Sequence, residues 1–327
     1  MQKIVKNSIV FGMDHSWGLA QEIQEILKME IIKPNKTVFK NGEVMLSSPV
    51  TVRNLDTYLI CNTGNAVHDQ LMEILIFIDS LKRAGAKSIN LVMTCYGYAR
   101  QDRKAGPRQP ITAKLVADLL ETAGISKIFT MDLHNTSIQG FFNVPVDDLN
   151  GNLIFAHELR KRGEFFSVVS PDHGGTVRAR GLAELISQDI QIAVIDKRRT
   201  APNVSEVMGI LGDVKNKNII IIDDIIDTGG TIIKAAHTLK EHGAKKIIVA
   251  ASHGLFSNGF EMFENDDVIS EVMILNTIES NKFKGWKKLN IVSLGFFLAH
   301  VIKSNIESES ITGIYNAYKD EDFTDFE

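Results

Sequence analysis

Residues 219–231 read IIIIDDIIDTGGT. Four consecutive isoleucines suit a strand buried on both faces. Asp223 and Asp224 follow at its C-terminal end, where open α/β sheets bind their ligands. Two adjacent carboxylates there can accept hydrogen bonds from a vicinal diol, such as the 2′- and 3′-hydroxyls of a ribose. Asp227, Thr228, Gly229, Gly230 and Thr231 come next and open a helix. Their glycines let the backbone wrap closely, several N–H groups can converge on one phosphate, and the helix dipole adds positive potential. A diol acceptor joined to a phosphate cradle describes a ribose 5-phosphate site. The other reading, a surface turn with solvated acids, leaves charge at the end of an all-isoleucine strand without a polar task, an expensive arrangement.

Four further segments carry charge or metal-ligating groups. YARQDRK, residues 98–104, places Arg100 and Arg103 where they can grip a polyphosphate by bidentate hydrogen bonds, and a solvated basic turn has the same composition. DLH, residues 132–134, ends a strand, so period two puts Asp132 and His134 on one face, where together they can hold a divalent ion. SPDHGG, residues 170–175, stands between a strand and a helix start and offers Asp172 for metal or sugar contacts. DKRRTAPN, residues 196–203, sets Lys197, Arg198 and Arg199 behind another apolar run. Cations there can close over a triphosphate and offset charge developing in a transition state, or form an exposed basic hairpin.

The elements that would position these groups are legible from hydrophobic periodicity. Short apolar runs at 58–60, 89–93, 128–131, 167–169, 192–195, 219–222 and 247–250 predict buried strands, and amphipathic stretches at 68–84, 111–123, 176–186 and 231–242 predict helices. This alternation argues for parallel sheets covered on both faces. One pattern recurs: LKRAGAKSINLV, LLETAGISKIFTM and LKEHGAKKIIVA each read as a helix, a glycine, a short connector holding a lysine, and a strand. Gly85, Gly124 and Gly243 suit left-handed C-caps. Any helix-to-strand connection looks similar; the alternative is a duplicated α/β unit, one copy per half. No Pro- or Gly-rich linker appears, and the division is expected near residue 155.

A chain of 327 residues with 44% hydrophobic and 23% charged residues is long enough for two globular domains, which excludes disorder, collagen-like repeats and a disulfide scaffold. Its 36 basic and 40 acidic residues give a net charge of −4, so there is no electrostatic footprint for nucleic acid or for an anionic membrane. Cys61 and Cys95 lie in apolar runs and read as buried free thiols in a reducing cytoplasm. The N-terminal apolar stretch is Ile9 to Phe11 alone, and the longest one, residues 291–302, falls short of the ~20 residues of a membrane span. A soluble cytoplasmic protein is expected.

Taken in order and spacing, YARQDRKA, PITAKLVADLLETAG, DLH with IQGFF, SPDHGG, DKRR and IDDIIDTGGT make residues from about 5 to 315 resemble the ribose-phosphate pyrophosphokinases. The last motif alone is shared with type I phosphoribosyltransferases, but the polyphosphate segments and doubled length have no role in those. The resemblance implies an α/β fold of two similar phosphoribosyltransferase-like domains, each a mainly parallel sheet flanked by helices. The first would span residues 1–155, with a segment at about 305–318 packing back on it. The second would span 156–304 and hold the ribose 5-phosphate site, followed by an acidic, solvated tail at 319–327. The implied activity moves the pyrophosphoryl group of ATP, with Mg2+, to the anomeric hydroxyl of ribose 5-phosphate.

Position by position, the resemblance assigns Asp223, Asp224, Asp227, Thr228, Gly229, Gly230 and Thr231 to ribose 5-phosphate. Lys197 and Arg199 fall in a flexible catalytic loop, with Arg199 also on the sugar phosphate. Arg100 and Gln101, with Arg103 beside them, go to ATP. His134 and Asp172, with Asp132 beside them, go to magnesium. Phe39, Asn41, Gly42 and Glu43 form a hairpin that contacts adenine in a neighbouring subunit, which implies a homo-oligomer, typically a hexamer built from dimers. A non-catalytic regulatory subunit of the same fold would be favoured by an interrupted DKRR loop, and here that loop is intact. The chain departs from the family pattern at Asn143, where Asp is common; at Thr200 and Ala201, where Pro-Arg is usual; at residues 106–109; and at Asn54, where Gly is usual. These departures predict an altered response to ADP or to phosphate.

Overall fold

The computed structural model describes residues 7–201, 204–279, 283 and 285–326, with the backbone alone at 197–201 and 204–208. The chain packs as two units. The first runs to Asn150 and takes in Thr277–Glu279 and Ser293–Ile314; the second begins at Gly151 and includes the chain end from Tyr315. The sequence expectation put the change near residue 155 and the returning segment at 305–318. The observed change comes earlier because Gly151 caps the next helix directly, leaving no linker.

In the first unit, β1 (Ser8–Gly12), α1 (Trp17–Leu27), β2 (Ile31–Ile32), β3 (Asn35–Val38), β4 (Val44–Ser47), β5 (Asp56–Cys61), α2 (Val67–Arg83), β6 (Ser88–Met93), α3 (Thr112–Ala123), β7 (Lys127–Met131) and β8 (Val146–Leu149) follow in order. Six strands form a parallel sheet in the order β2-β1-β5-β6-β7-β8. The strands β3 and β4 stand apart as an antiparallel hairpin. The second unit holds α4 (Asn152–Arg160), β9 (Phe166–Ser170), α5 (Thr176–Ile186), β10 (Ile192–Ala201), β11 (Val204–Leu211), β12 (Asn218–Ile226), α6 (Gly230–Glu241), β13 (Ile247–Gly254), α7 (Glu261–Glu264), β14 (Ile269–Leu275) and β15 (Leu289–Val292). Its sheet runs β11-β10-β9-β12-β13-β14-β15, parallel except at β10–β11. After β15 come α8 (Gly295–Glu307) and α9 (Thr312–Asp320). Among the described residues, no helix is long and apolar enough to cross a membrane.

Setting the edge strand β11 aside, the two sheets have the same order: second strand, first, then third to sixth. The glycine caps repeat as well. Gly85, Gly124 and Gly243 take φ of +81°, +125° and +90°. After α2, Ala86 N–H reaches Leu81 C=O at 3.1 Å; after α6, Ala244 N–H reaches Leu239 C=O at 3.1 Å. With Ile125 N–H reaching Leu120 C=O at 3.3 Å after α3, that is one six-residue closure used three times. The duplication reading therefore holds at the level of topology.

Each unit buries its own core. The first centres on Phe11 and Phe77, whose rings meet edge to face at 5.1 Å. In the second, Phe256, Phe260, Phe263 and Phe283 pack beneath β12 and β13. Both cysteines are buried and free, and burial raises the Cys61 thiol well above its ordinary range.

The chain end adds contacts that the sequence reading did not include. Most of residues 319–326 are exposed, as a solvated tail would be, but the segment is anchored at two points. Glu321 accepts hydrogen bonds from Arg160 at 2.8 Å and His157 at 2.9 Å on α4, and Phe323 packs edge-on against Tyr318 and His157. Acidic composition masked an aromatic residue and an arginine partner more than 150 residues away in sequence.

Candidate active site

Isoleucines 219–222 are fully buried, as the sequence requires. The strand does not end at the acids, however. Pairing with β9 stops at Ile221, while pairing with β13 continues to Ile226 opposite Gly254. Asp223 and Asp224 thus sit inside β12, on the length where one neighbour has dropped away. Asp224 is 4% exposed. Its N–H donates to Asp223 Oδ1 at 2.9 Å, and the Nη1 of Arg178 on α5 stands 3.2 Å from Asp224 Oδ1 and 3.7 Å from Asp223 Oδ1. Burial, and the negative charge of Asp224, push the Asp223 carboxyl up to about 8, with the Arg178 guanidinium opposing that rise.

Beyond the strand the backbone turns sharply. Asp227 C=O accepts from Ser257 N–H at 3.0 Å, and Ser257 Oγ bonds the Asp227 carboxylate. Gly229 takes φ +83° and caps α6. Only glycine fits: a Cβ there would lie 2.6 Å from two carbons of the Phe263 ring, whereas a Cβ on Gly230 meets nothing within 4 Å. The first intrahelical bond runs from Ile233 N–H to Gly229 C=O at 3.0 Å, so the amides before it have no acceptor inside the helix. A closed, aromatic-backed wall on one side and open space on the other suit a phosphate cradle.

The first unit carries the topological counterpart of this loop. There α2 also opens from a left-handed residue, Ala66 at φ +45°, after the strand β5. That turn reads NTGNA and has no carboxylate, which is why the two copies differ in chemistry.

The SPDHGG segment follows β9. Asp172 Oδ1 accepts from Gly175 N–H at 3.0 Å, so one carboxylate oxygen organises the start of α5, and the residue is exposed. His173 Nε2 lies 2.8 Å from Asp196 Oδ1 on β10. Lys197 and Arg199 belong to β10, opposite Val207 and Ser205 of β11, so their backbone is hairpin rather than loop. The antiparallel pairing supplies hydrogen bonds that a charge pattern does not advertise. Their side chains, with those of Arg198, Thr200 and Ala201, lie outside the described residues, as do Pro202 and Asn203.

In the first unit, residues 98–104 form the turn between β6 and α3. Tyr98 takes φ +64°, its hydroxyl meets His68 Nδ1 at 2.5 Å, and its carbonyl accepts from Gln101 N–H at 2.9 Å. Thr112 Oγ1 donates to Gln101 Oε1 at 2.6 Å, pinning the turn to α3. Arg100, Gln101 and Arg103 are all exposed. Asp132 and His134 correct a second expectation. The strand β7 ends at Met131, Asp132 adopts φ +40°, and its N–H reaches Leu149 C=O at 3.0 Å, so strand periodicity does not place the two side chains on one face. His134 is exposed in the loop that follows.

The hairpin of β3 and β4 turns through Phe39–Glu43. Phe39 N–H donates to Glu43 C=O at 2.8 Å, Glu43 N–H donates to Asn41 Oδ1 at 3.2 Å, and Gly42 takes φ +91°. Phe39, Val38 and Met45 are exposed, and a cavity of about 540 Å³ lies between the hairpin and α2, lined by Phe39, Glu43, Met72 and the Lys36–Glu73 ion pair among others. Two departures from the family pattern also acquire a reason. Asn54 takes φ +57°, a left-handed conformation that asparagine tolerates and glycine prefers. Asn143 donates its side-chain amide to Glu121 at 2.8 Å, and burial notwithstanding, that bond and the backbone N–H groups of Asn143 and Val144 hold Glu121 below the usual carboxylate range. An aspartate at 143 would repel it.

Arg178 and Asn152 escaped the sequence reading. Arg178 lies three residues past the PDHGG loop, and an arginine in the first turn of a helix, against the dipole, was the available signal. Asn152, 4% exposed at the start of α4, bonds Arg178 C=O at 2.9 Å, and nothing local announces it.

Comparison with known proteins gives the family. Residues 8–124 match the N-terminal domain of ribose phosphate pyrophosphokinase, and residues 146–281 match the phosphoribosyl transferase domain. The ribose-phosphate pyrophosphokinase of Mycoplasmopsis pulmonis is 54% identical over 314 residues, covering 96% of this chain and 98% of the relative. That of Bacillus subtilis is 43% identical over 312 residues, covering 95% and 98%. The crystal structure of phosphoribosylpyrophosphate synthetase from Mycobacterium smegmatis superposes with a TM-score of 0.85 at 35% identity, covering 92% of this chain and 99% of that one. With two similar α/β sheets, an acid pair beside an amide cradle, and near full-length identity of this order, the chain belongs to the ribose-phosphate pyrophosphokinase family.

Proposed function

We infer that this chain is a ribose-phosphate diphosphokinase: it transfers the pyrophosphoryl group of MgATP to the 1-hydroxyl of ribose 5-phosphate, giving 5-phosphoribosyl 1-diphosphate and AMP. The observation that carries this reading is the acid pair of β12 continuing into the glycine-backed turn of 227–231, in a chain 54% identical to a ribose-phosphate pyrophosphokinase. Asp223 and Asp224 accept from the sugar's vicinal hydroxyls. The amides and hydroxyls of Thr228, Gly229, Gly230 and Thr231, with Asp227 shaping the turn, hold the 5-phosphate.

Arg100 and Arg103 grip the triphosphate, and Gln101, whose Oε1 is taken by Thr112, donates its amide N–H to the nucleotide. Lys197 and Arg199 hold the leaving AMP and the moving group, Arg199 also touching the sugar phosphate. Asp172 in the second unit offers a carboxylate, and separately His134 and Asp132 in the first offer imidazole and oxygen donors, each of a type suited to magnesium. Magnesium supplies charge neutralisation across phosphate oxygens when bound. The protein's part is positioning and electrostatics, as phosphoryl transfer generally requires.

The exposed Phe39 ring, with Asn41, Gly42 and Glu43, suits stacking on adenine presented by another subunit, in a homo-oligomer whose hexameric form the family resemblance implies. Two buried free cysteines support a cytoplasmic setting. The test is phosphorus NMR of the pure protein with MgATP and ribose 5-phosphate. AMP with an anomeric diphosphate is expected. ADP would mean simple kinase chemistry, and absence of turnover with intact ligand binding would make the chain a regulatory subunit; either overturns the reading.

A further inference from the structure

Two carboxylates side by side in a buried strand repel each other. Without a counter-charge, one takes up a proton and turns from acceptor into donor. Among the described residues Arg178 sets a cation against both: its side chain is 16% exposed and its Nη1 lies 3.2 Å from Asp224 Oδ1 and 3.7 Å from Asp223 Oδ1. Its backbone is tied as firmly as its head group. Asn152 Nδ2 donates to Arg178 C=O at 2.9 Å from the start of α4, and a Cβ on Gly181 would already lie 3.4 Å from that same nitrogen. A long side chain fixed at both ends has surrendered rotamer entropy that a purely solvated arginine keeps.

We propose that Arg178 is a positioning residue of the transfer reaction, its guanidinium holding Asp223 and Asp224 as a fixed pair of acceptors for the vicinal hydroxyls of the sugar phosphate. This rests on the reading of residues 223–231 as the ribose 5-phosphate site. The electrostatics run the same way. Burial and Asp224 raise the Asp223 carboxyl, and Arg178 lowers it. On α6, which packs against β12, Lys234 and Lys240 are exposed and His237 pairs with Asp266. Asp227 bonds Ser257; His253 on β13, opposite Ile225, is 5% exposed; Arg180 and Glu184, also on α5, are exposed. With the guanidinium in place the Asp223 carboxyl already stands at about 8; removing it pushes that carboxyl further up, so a smaller fraction of the pair is ionised at pH 7 than in the parent, and raising the pH restores the difference.

The test compares the full-length chain with Arg178→Met, which keeps length without charge, and Arg178→Lys, which keeps charge without the planar fork. The readouts are KM for ribose 5-phosphate, KM for ATP and kcat from pH 6.5 to 9, with calorimetric titration of ribose 5-phosphate as a measure independent of turnover. Arg178→Met is expected to raise the KM and Kd for ribose 5-phosphate at least tenfold at pH 7, to leave the KM for ATP unchanged, and to lose most of its defect by pH 9. Arg178→Lys is expected to recover part of the affinity. Arg178→Met with the parent's sugar affinity and pH profile, or a defect of equal size at every pH, overturns the proposal. If Arg178→Met does not fold, Arg178→Lys with unchanged affinity and pH profile overturns it, and a raised, pH-dependent KM upholds it. Asp223→Asn, run in parallel, isolates the underlying reading: unchanged sugar affinity in that variant would mean that the sugar binds elsewhere, whatever Arg178 does.

Discussion

Replacing Gly229 with alanine tests the phosphate cradle from its rigid side. Two effects add. A residue with a Cβ in the left-handed region costs about 1–2 kcal/mol, and Gly229 sits at φ +83°. The new methyl would also lie 2.6 Å from two ring carbons of Phe263 and 3.2 Å from Met262 Sδ. That ring cannot retreat freely, because Phe260 stacks on it at 5.5 Å and Phe256 abuts it at 5.7 Å. Overpacking of this sort costs about 1–3 kcal/mol. The sum, ~2–5 kcal/mol, converts to a melting-temperature loss of roughly 4–20 °C for a unit of this size. Where the turn relaxes instead of the ring, the amides lose their convergence and the KM for ribose 5-phosphate rises. Gly230→Ala is the matched control: its Cβ meets nothing within 4 Å, so its melting temperature should stay at or above that of the parent. Thermal melts of both variants, with calorimetric titration of ribose 5-phosphate, decide the matter. A Gly229→Ala chain that melts with the parent and binds sugar as well would refute the cradle geometry.

The acid pair gives a stability prediction with a definite sign. Asp223 rises from the ordinary 3.8 to about 8 on folding, so between those values the folded chain holds more protons than the unfolded one, and stability falls as pH rises through the window. Asp223→Asn should therefore melt above the parent at pH 8, with the gap closing toward pH 4, while its affinity for ribose 5-phosphate drops; equal melting at every pH would contradict it. A chain ending at Asp320 should lose the Glu321 and Phe323 contacts on α4, part of the ~1.5–3 kcal/mol an aromatic side chain contributes when fully buried. It should melt a few degrees lower with unchanged KM values, and an unaltered melt would show those contacts to be incidental.

Apolar periodicity located the strands and helices with chemistry beside them, because a buried strand such as 219–222 and an amphipathic helix such as α6 write their burial into residue order. It passed over β1 to β4, β8, β11, β14 and β15, along with α1, α4, α7, α8 and α9. Several of these are short, and β8 carries two aspartates, so their existence depends on pairing with neighbours rather than on pattern. The two missteps over strand ends share one cause. Nothing local tells β7 to stop at Met131 or β12 to run on to Ile226; partner strands decide both.

By itself the sequence determined the chemistry present: paired acids, a glycine turn, clustered cations, and the order in which they occur. Composition and spacing are one-dimensional properties, and these groups are close together in the chain. Tertiary structure alone decided that Arg178 faces the acid pair, that Asn152 ties Arg178 down, that Phe263 walls the phosphate turn, and that the acidic chain end closes on α4. Each of those relations joins residues roughly 25 to 165 positions apart, a separation at which only the packing of helices against sheets, with no local pattern to announce it, brings one side chain to another.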